Sequence, residues 1–237
     1  MAKLIILSGA GLSAESGIAT FRDKNGLWER YDLEEVCNIS TWKQNFEKVH
    51  QFYNERRLQL GKVGPNAAHF QIAQWEAKYE TVLLTQNIDD LLERGGCKEV
   101  NHLHGFLTQM HCKACGHRWS IGYTEWKVGD RCRRESCRSA RGVKPNVVFF
   151  GETAPMYSLL RHTVEDLQSE DVFLVMGTMG AVLPIDSMAR RAKCTRILNN
   201  LAEGEEINAK HFEHVFYEPA TQAISKIDAV LQKVLGS

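Results

Sequence analysis

Short apolar runs and longer amphipathic segments alternate along this chain. The apolar runs have the length of buried strands and are bounded by glycine or polar residues. They occupy residues 3–8, 81–85, 100–103, 147–150, 172–176 and 196–198. Because the strands of a parallel sheet are buried on both faces and are joined by crossover helices, the alternation predicts an α/β fold, a parallel sheet with helices on both faces.

Several segments between these runs have the periodicity of helices. Residues 88–94 form a short helical pattern that ends at two glycines, and residues 185–192 form a crossover helix. In residues 220–235 the apolar side chains recur on one face, which is typical of a packing helix. Residues 36–75 are rich in helix formers with aromatic residues at helical spacing, so we expect a helical insertion there.

Composition and charge narrow the range of functions. The 237 residues contain 29 Lys and Arg against 29 Asp and Glu, and 43% are hydrophobic. Such a chain folds, and it has no overall positive field to attract nucleic acid or an anionic membrane. No apolar run approaches the roughly 20 residues of a membrane span, and the N-terminus leads directly into a predicted strand. We therefore expect a cytoplasmic protein with no nucleic acid or membrane partner and, without long terminal extensions, a monomer.

Four of the seven cysteines lie close together in the sequence. They are Cys112, Cys115, Cys132 and Cys137. Two such pairs can place four thiolates around Zn²⁺, and four sulfur ligands leave no open position for water or substrate. The spacing therefore predicts one structural zinc ion, with replacement of one cysteine by the neighbouring His111 or His117 as the alternative.

A glycine-rich turn follows the first predicted strand. Gly9, Gly11 and Ala14 form a G-x-G-x-x-A pattern. Glycine is needed where the chain turns tightly and where the backbone approaches a pyrophosphate at a helix N-terminus. The pattern is typical of a Rossmann-like dinucleotide-binding turn, although glycines that only connect a strand to a helix would produce it as well.

Polar residues end the next two predicted strands at the same edge of the sheet. Gln86, Asn87 and Asp89 follow the second strand, and His102 and His104 end the third. A histidine at that edge can act as a base near neutral pH. The alternatives are a structural role for either histidine and a helix-capping role for Asn87.

Taken together, these motifs resemble the ordered series of the sirtuins, which are NAD-dependent protein lysine deacylases. The series comprises residues 9–18 (GAGLSAESGI), 21–22 (FR), 26–28 (GLW), 85–89 (TQNID), 102–105 (HLHG), the four cysteines and 150–152 (FGE). The resemblance implies an NAD-binding Rossmann-like domain at residues 1–35, 77–107 and 143–237. It also implies a small helical and zinc-binding domain at residues 36–76 and 108–142.

The resemblance implies roles for individual residues as well. His104 would be the general base, and Asn87 a second catalytic residue. The NAD site would be lined by Gly9, Ala10, Gly11, Glu15, Phe21, Arg22, Trp28, Gln86, Asn87, Ile88, Asp89, Gly177, Thr178, Met179, Asn199 and Ala220. The acyl-lysine substrate would contact Tyr53, Arg56, Val147, Phe149 and Gly151, and residues 147–151 would pair as a strand with the substrate peptide.

In the implied reaction NAD is a consumed co-substrate. The acyl oxygen of a modified protein lysine attacks the anomeric carbon of the nicotinamide ribose and releases nicotinamide. His104 then relays a proton from the ribose hydroxyls, and hydrolysis gives free lysine and O-acyl-ADP-ribose. The alternatives are an NAD glycohydrolase or mono-ADP-ribosyltransferase that uses the same pocket, and a binding module without turnover.

Tyr53 and Arg56 are three residues apart and share one face of the predicted helix. A guanidinium matches a carboxylate bidentately, and a phenol adds a neutral donor. The pair resembles the Tyr-x-x-Arg signature of the sirtuins that remove acidic acyl groups, which implies desuccinylase and demalonylase activity besides deacetylase activity. The alternative is an ordinary amphipathic helix with Arg56 solvated.

Two positions depart from the usual sirtuin pattern, and both concern the NAD site. Met179 follows Gly-Thr where the family usually has serine, so a side-chain hydrogen bond to NAD is lost there. Asn199 is followed by Asn-Leu instead of the more usual Leu-Glu. We expect weaker NAD binding, with backbone contacts retained.

Overall fold

The computed structural model describes residues 2–19 and 31–236. The strands are β1 (Lys3–Ser8), β2 (Glu80–Thr85), β3 (Val100–His102), β4 (Gly105–Cys112), β5 (Arg118–Ser120), β6 (Val143–Val147), β7 (Val172–Met176), β8 (Thr195–Asn200) and β9 (His214–Tyr217). The α-helices are α1 (Gly11–Ala14), α2 (Leu33–Val36), α3 (Phe46–Leu60), α4 (Ala67–Lys78), α5 (Leu91–Arg94), α6 (Tyr157–Glu165), α7 (Ile185–Arg191) and α8 (Ala220–Leu235). A bilayer-spanning helix would need more length and apolar content than any helix in the described ranges has.

The larger sheet confirms the predicted α/β fold. Its strand order is β3-β2-β1-β7-β8-β9, and every neighbouring pair is parallel. Side chains alternate across the sheet, so Leu4 and Ile6 of β1 enter one apolar cluster and Ile5 and Leu7 enter another. Helices α4 and α8 cover the first face, and α6 and α7 cover the second.

A smaller antiparallel sheet has the order β5-β4-β6. The prediction that residues 147–150 form a strand of the parallel sheet is therefore wrong. The strand lies earlier, at Val143–Val147, and pairs with β4. Lys144, Pro145 and Asn146 interrupt the apolar pattern that the prediction used. Because proline has no N–H, Pro145 suits the edge position that β6 occupies.

The helical predictions are correct in kind and differ in extent. The expected insertion at residues 36–75 contains α3 and most of α4. The helix expected at residues 88–94 is only Leu91–Arg94, because the Asp89 carboxylate accepts a hydrogen bond from the Leu91 N–H (3.1 Å) and holds the preceding residues in a loop. Strand β9 had no counterpart among the predicted runs.

The predicted division into two domains remains a prediction. Strand β4 crosses its boundary at residues 107 and 108, and β6 begins at its boundary at residue 143. The small sheet therefore links the segments that the division separates.

Candidate active site

The turns after β1 and β7 meet without room for side chains. The Gly9 N–H donates to the Met176 carbonyl (2.9 Å), and the Gly11 N–H donates to the Gly177 carbonyl (2.8 Å). A Cβ on Gly11 would lie 2.7 Å from the Gly177 Cα, and Gly177 has a φ of 63°. Ala10 precedes the single turn α1 and accepts from the Ser13 N–H. Packing of the two turns is thus one reason for the glycines, independent of any ligand.

A buried polar cluster centred on Ser13 lies beside this turn. The Ser13 hydroxyl donates to the Asp89 carboxylate (3.0 Å) and accepts from the Asn87 amide (3.1 Å). The His69 Nε2 lies 3.5 Å from the same hydroxyl, and its Nδ1 accepts from the Asn66 N–H. The cluster therefore fixes the orientation of the predicted residues Asn87 and Asp89 through two residues that the sequence analysis did not select.

Burial shifts the pKa values of two groups in this cluster. Burial raises the pKa of Asp89, although its hydrogen bonds with the Leu91 N–H and the Ser13 hydroxyl oppose that rise. Burial lowers the pKa of His69 to about 4, so this imidazole is neutral near pH 7. Ser13 is one of the variable positions of the G-x-G-x-x-A pattern, and His69 resembles an ordinary capping residue of α4, so neither gave a clear signal in the sequence.

His104 lies at the same edge, half-buried after β3. Its Nδ1 is 3.0 Å from the Gln86 carbonyl, and its Nε2 is 2.8 Å from the Tyr157 hydroxyl. A carbonyl only accepts, so Nδ1 carries the proton in the neutral ring and Nε2 has the lone pair. Burial lowers the pKa of His104, with the Gln86 contact acting in the opposite direction. The geometry therefore provides a neutral base.

His102 has a different environment. Its Nδ1 contacts the Asn87 carbonyl (2.8 Å), and its Nε2 contacts the Glu93 carboxylate (2.7 Å). Both ring nitrogens are thus occupied by fixed partners. Of the two histidines in the motif, His102 holds the loop after β2 in place, whereas the Nε2 of His104 meets the Tyr157 hydroxyl, which can donate or accept a hydrogen bond.

Gln86 and Ile88 connect the loop after β2 to its neighbours. The Gln86 amide donates to the Thr178 hydroxyl (2.8 Å), which joins this loop to the turn after β7. The Ile88 carbonyl accepts from the Leu107 N–H (2.8 Å), which joins it to β4. Met179, next to Thr178, is 39% exposed.

Three further residues of the predicted NAD site make mainly structural contacts. The Asn199 amide donates to the Phe216 and Glu218 carbonyls (3.0 and 2.9 Å) and ties β8 to the end of β9. Glu15 accepts from the N–H and hydroxyl of Thr221 at the start of α8. Ala220 is buried in the apolar cluster under α8. Binding of NAD by these three residues remains a prediction. Phe21, Arg22 and Trp28 lie outside the described residues.

Tyr53 and Arg56 lie on α3 toward the small sheet. Tyr53 is buried, stacks on Phe149 (5.7 Å between ring centroids), and has its hydroxyl 3.4 Å from the Cys37 sulfur. Arg56 is half-buried, with its guanidinium carbon 5.6 Å from the centre of the Phe52 ring. Burial raises the pKa of Tyr53, and burial lowers the pKa of Arg56. The structure thus places Tyr53 against Phe149 and Cys37, with Arg56 one turn further along the same helix.

The adjacent arginine provides a contrast. Arg57 is fully buried, and its guanidinium donates to the Thr124 carbonyl (3.1 Å), the Leu107 carbonyl (3.4 Å) and the Asn54 side chain. Arg57 therefore binds α3 to the small sheet.

The segment after β6 is held by the rest of the chain. The Val148 N–H donates to the His104 carbonyl (2.8 Å), the Phe150 N–H to the Cys37 carbonyl (2.7 Å), and the Phe149 N–H to the Glu152 carboxylate (2.9 Å). Val147 and Phe149 are buried. Gly151 has a φ of 80°. Pairing of residues 147–151 with a peptide remains a prediction, and three N–H groups of this segment already have partners.

An ion pair between Lys144 and Glu152 packs against this segment. The Lys144 ammonium lies 2.8 Å from the Glu152 carboxylate and 3.8 Å from the centre of the Phe149 ring. It also donates to the Val147 carbonyl. Burial lowers the pKa of Lys144 to about 8, although Glu152 opposes the shift. The exposed Lys113 contacts the other oxygen of the same carboxylate (2.9 Å).

The four predicted cysteines come together at the end of the small sheet. Their sulfur atoms all lie within 4.8 Å of one another, and the Cys112–Cys137 and Cys115–Cys132 sulfur pairs are each 3.7 Å apart. With Zn–S bonds of about 2.3 Å, the edge of a tetrahedron of sulfurs is about 3.8 Å. The cluster therefore fits one structural Zn²⁺, as predicted. His117 stacks on Trp119 and, like His111, does not join the cluster.

Comparison with known proteins gives one consistent result. Residues 9–184 match a family model described as the Sir2 family. The chain is 42% identical to an NAD-dependent protein deacylase of Helicobacter hepaticus, covering 98% of each chain, and 43% identical to one of Campylobacter jejuni, covering 96% of this chain and 94% of the relative. Among solved structures, a Sir2 homologue in complex with NAD has a TM-score of 0.82 at 33% identity, covering 98% of this chain and 90% of that one.

Proposed function

The chain belongs to the Sir2 family, and from this premise we propose that it is an NAD-dependent protein-lysine deacylase. The observation that carries the proposal is the state of His104, a half-buried neutral imidazole whose Nδ1 proton is fixed by the Gln86 carbonyl and whose Nε2 faces a hydroxyl. This nitrogen is positioned to accept a proton, and it lies at the strand edge where ligands bind in open α/β sheets.

The residues around His104 fit an NAD site. Bound NAD supplies an electrophilic anomeric carbon with nicotinamide as the leaving group. Gly9 and Gly11 leave no side chain at the turn beside this edge, and the amide of Asn87 is oriented by Ser13. Asp89 accepts from the same hydroxyl and adds a carboxylate to the predicted NAD site. These side chains would bind and orient the dinucleotide.

Proton transfer in this proposal is the task of His104. Its Nε2 accepts a proton from a ribose hydroxyl, and the Gln86 carbonyl stabilises the resulting imidazolium through Nδ1–H. With the consumption of one water the products are nicotinamide, free lysine and O-acyl-ADP-ribose, so the enzyme transfers the acyl group from lysine to ADP-ribose. A general base of this kind contributes about 10²- to 10⁴-fold to rate, and His104→Ala should lose activity by that factor.

We further propose that the acyl pocket accepts succinyl and malonyl groups besides acetyl. Support comes from Tyr53, which stacks on Phe149, and from Arg56, which lies one turn further along α3. A guanidinium and a phenol in a largely apolar pocket can hold a carboxylate, because burial strengthens charge-assisted hydrogen bonds. The adjacent Arg57 has a structural role instead, since its guanidinium is bonded to the small sheet.

One experiment tests both levels of the proposal. Acetyl-, succinyl- and malonyl-lysine forms of one peptide are incubated with NAD, and the products are followed by mass spectrometry for the wild type and for His104→Ala. We expect nicotinamide, O-acyl-ADP-ribose and free lysine to appear together and to fall together in the variant. Nicotinamide release without deacylation would favour the glycohydrolase or ADP-ribosyltransferase alternative. Retained ligand without any turnover would favour a binding module.

Acyl selectivity is tested with Arg56→Met. We expect desuccinylation and demalonylation to fall at least about 100-fold while deacetylation stays within about threefold, because only the acidic acyl groups lose a charged partner. Lys62→Met is the matched control, since it removes one exposed positive charge just beyond the end of α3. Equal loss of all three activities in Arg56→Met would contradict the assigned specificity.

A further inference from the structure

Tyr157 contacts His104 and has no role in the function proposed above. It is the first residue of α6 and is half-buried. Its ring lies 5.7 Å from the His104 ring at 58°, and its hydroxyl lies 2.8 Å from Nε2. The Tyr157 N–H donates to the Ala154 carbonyl (3.2 Å), so the turn before α6 fixes its backbone.

The protonation state of His104 determines the direction of this hydrogen bond. The Gln86 carbonyl requires a proton on Nδ1, so in the neutral ring Nε2 only accepts and the Tyr157 O–H donates to it. In the imidazolium, Nε2–H donates and the tyrosine oxygen accepts. A hydroxyl can form a hydrogen bond with Nε2 in both protonation states of His104, whereas a phenylalanine ring at the same position can form one in neither.

We propose that Tyr157 is a positioning residue for His104, holding the plane of the imidazole through Nε2 and occupying the place that a substrate hydroxyl takes during the reaction. The catalytic part of this inference rests on the proposed function, whereas the hydrogen bond itself does not. Between them the Gln86 carbonyl and the Tyr157 hydroxyl restrain both nitrogens of the ring, so its plane is set before any substrate binds.

This arrangement has an electrostatic consequence. A hydrogen bond donated by an imidazolium is stronger than one accepted by a neutral imidazole, so the tyrosine oxygen favours the protonated ring relative to an apolar neighbour. Two other titratable groups at this edge of the sheet have their own partners: His102 contacts Glu93, and Asp89 contacts Ser13. The Tyr157 hydroxyl is thus the titratable partner that touches His104 among the described residues.

The test is Tyr157→Phe in the full chain. The pKa of His104 is measured without ligands by NMR titration of the imidazole signals, with the His104 signal assigned by its absence from His104→Ala. We expect the pKa to fall by about half a unit to one unit, because the imidazolium loses an acceptor. With acyl peptide and NAD, the acidic limb of the kcat/KM profile should move to lower pH by the same amount. The value of kcat should fall about twofold to tenfold with KM for the peptide unchanged.

Tyr79→Phe is the matched control. Its hydroxyl is buried without a hydrogen-bond partner among the described residues, so the same atom is removed far from His104. An unchanged His104 pKa and superimposable pH profiles for Tyr157→Phe would overturn the proposal. If the wild type shows no deacylation but the His104 pKa falls in Tyr157→Phe, the hydrogen bond is supported and the proposed function fails. The two failures are therefore distinguishable.

Discussion

The two sheets of this protein are stabilised in different ways. In the six-stranded sheet, β7 is buried along its whole length, and continuous apolar clusters cover both faces. In the three-stranded sheet, the apolar cluster is small and draws on side chains that are not purely apolar. Its buried members are Met110, Cys112, Trp119, Trp126, Cys132 and Val143. Two of these six are cysteines of the zinc cluster.

The difference between the two sheets shows where apolar burial alone is insufficient to stabilise the fold. Apolar burial contributes roughly 25 cal/mol per Å² and must exceed the entropy cost of ordering the chain. In a unit with few buried side chains, the free energy gained by burial does not exceed this entropy cost, so the unit needs a metal or a disulfide. Residues 127–141, which include Cys132 and Cys137, add mutual repulsion, because two carboxylates there face a larger number of exposed cations. They include Lys127, Arg131, Arg133, Arg134, Arg138 and Arg141. The metal site therefore stabilises the part of the chain with the least apolar core.

Loss of zinc should have the largest effect and should be confined to the small sheet. Cys132→Ser removes one of four ligands, and structural zinc contributes on the order of 10 kcal/mol to the folding of isolated zinc modules. We expect hydrogen exchange to lose protection at the amides of Cys112, Lys113 and Cys132, which now bond to His117, Gly142 and Ser139. Amides of β1 and β7 should keep their protection. Exchange followed by mass spectrometry measures both regions at once.

Cys194→Ala is the matched control for this change. Cys194 is also buried, but it lies outside the four-cysteine cluster. Metal analysis should find one zinc ion in the wild type and in Cys194→Ala and none in Cys132→Ser. Equal protection of the small sheet with and without zinc would show that its apolar cluster suffices.

The second change removes the buried cation of the small sheet. Lys144→Met leaves the Glu152 carboxylate without its buried partner, and breaking a buried ion pair by removing one side costs about 3–5 kcal/mol. We expect a loss of that order in the free energy of unfolding, measured by denaturant titration of the zinc-bound protein. The Phe149 N–H and the loop after β6 should become more mobile, since they depend on the same carboxylate.

Lys113→Met tests whether burial of the lysine is the cause of the expected loss in the free energy of unfolding. Lys113 contacts the same Glu152 carboxylate but is exposed, and exposed ion pairs contribute about 0–1 kcal/mol. A loss above about 2 kcal/mol for Lys113→Met, or below about 1 kcal/mol for Lys144→Met, would contradict the distinction.

The contrast between the sheets also explains how far the sequence could predict the fold. Strands of the larger sheet are apolar on both faces, so runs such as residues 3–8 and 172–176 were recognised and confirmed. Strand β6 has the sequence Val-Lys-Pro-Asn-Val, and its lysine is buried by pairing with a glutamate eight residues later. Local hydrophobicity does not record such a pair, so the predicted strand was placed too late in the chain.

The candidate active site could likewise be predicted from the sequence only in part. The four cysteines and His104 stand out because residue type and spacing carry their chemistry. Ser13, His69 and Tyr157 act through contacts between residues 53 to 76 positions apart in the chain. Such contacts depend on the tertiary fold. Residue type and spacing therefore predicted the reacting group, but not Ser13, His69 and Tyr157, whose contacts orient the site.

The smallest expected effect tests whether the two sheets are energetically independent. Ile227 on α8 is fully buried in a cluster of the six-stranded sheet, and Ile227→Val should cost about 0.5–1.5 kcal/mol. Changes at distant sites with no shared partner add, so this cost should be the same in the wild type and in Cys132→Ser when unfolding of the larger sheet is followed by exchange. The half-buried Ile224 on the same helix is the control, and its change to valine should cost less. If the cost of Ile227→Val differs by more than about 0.5 kcal/mol between the two backgrounds, zinc contributes to packing beneath α8, and the sheets form one cooperative unit.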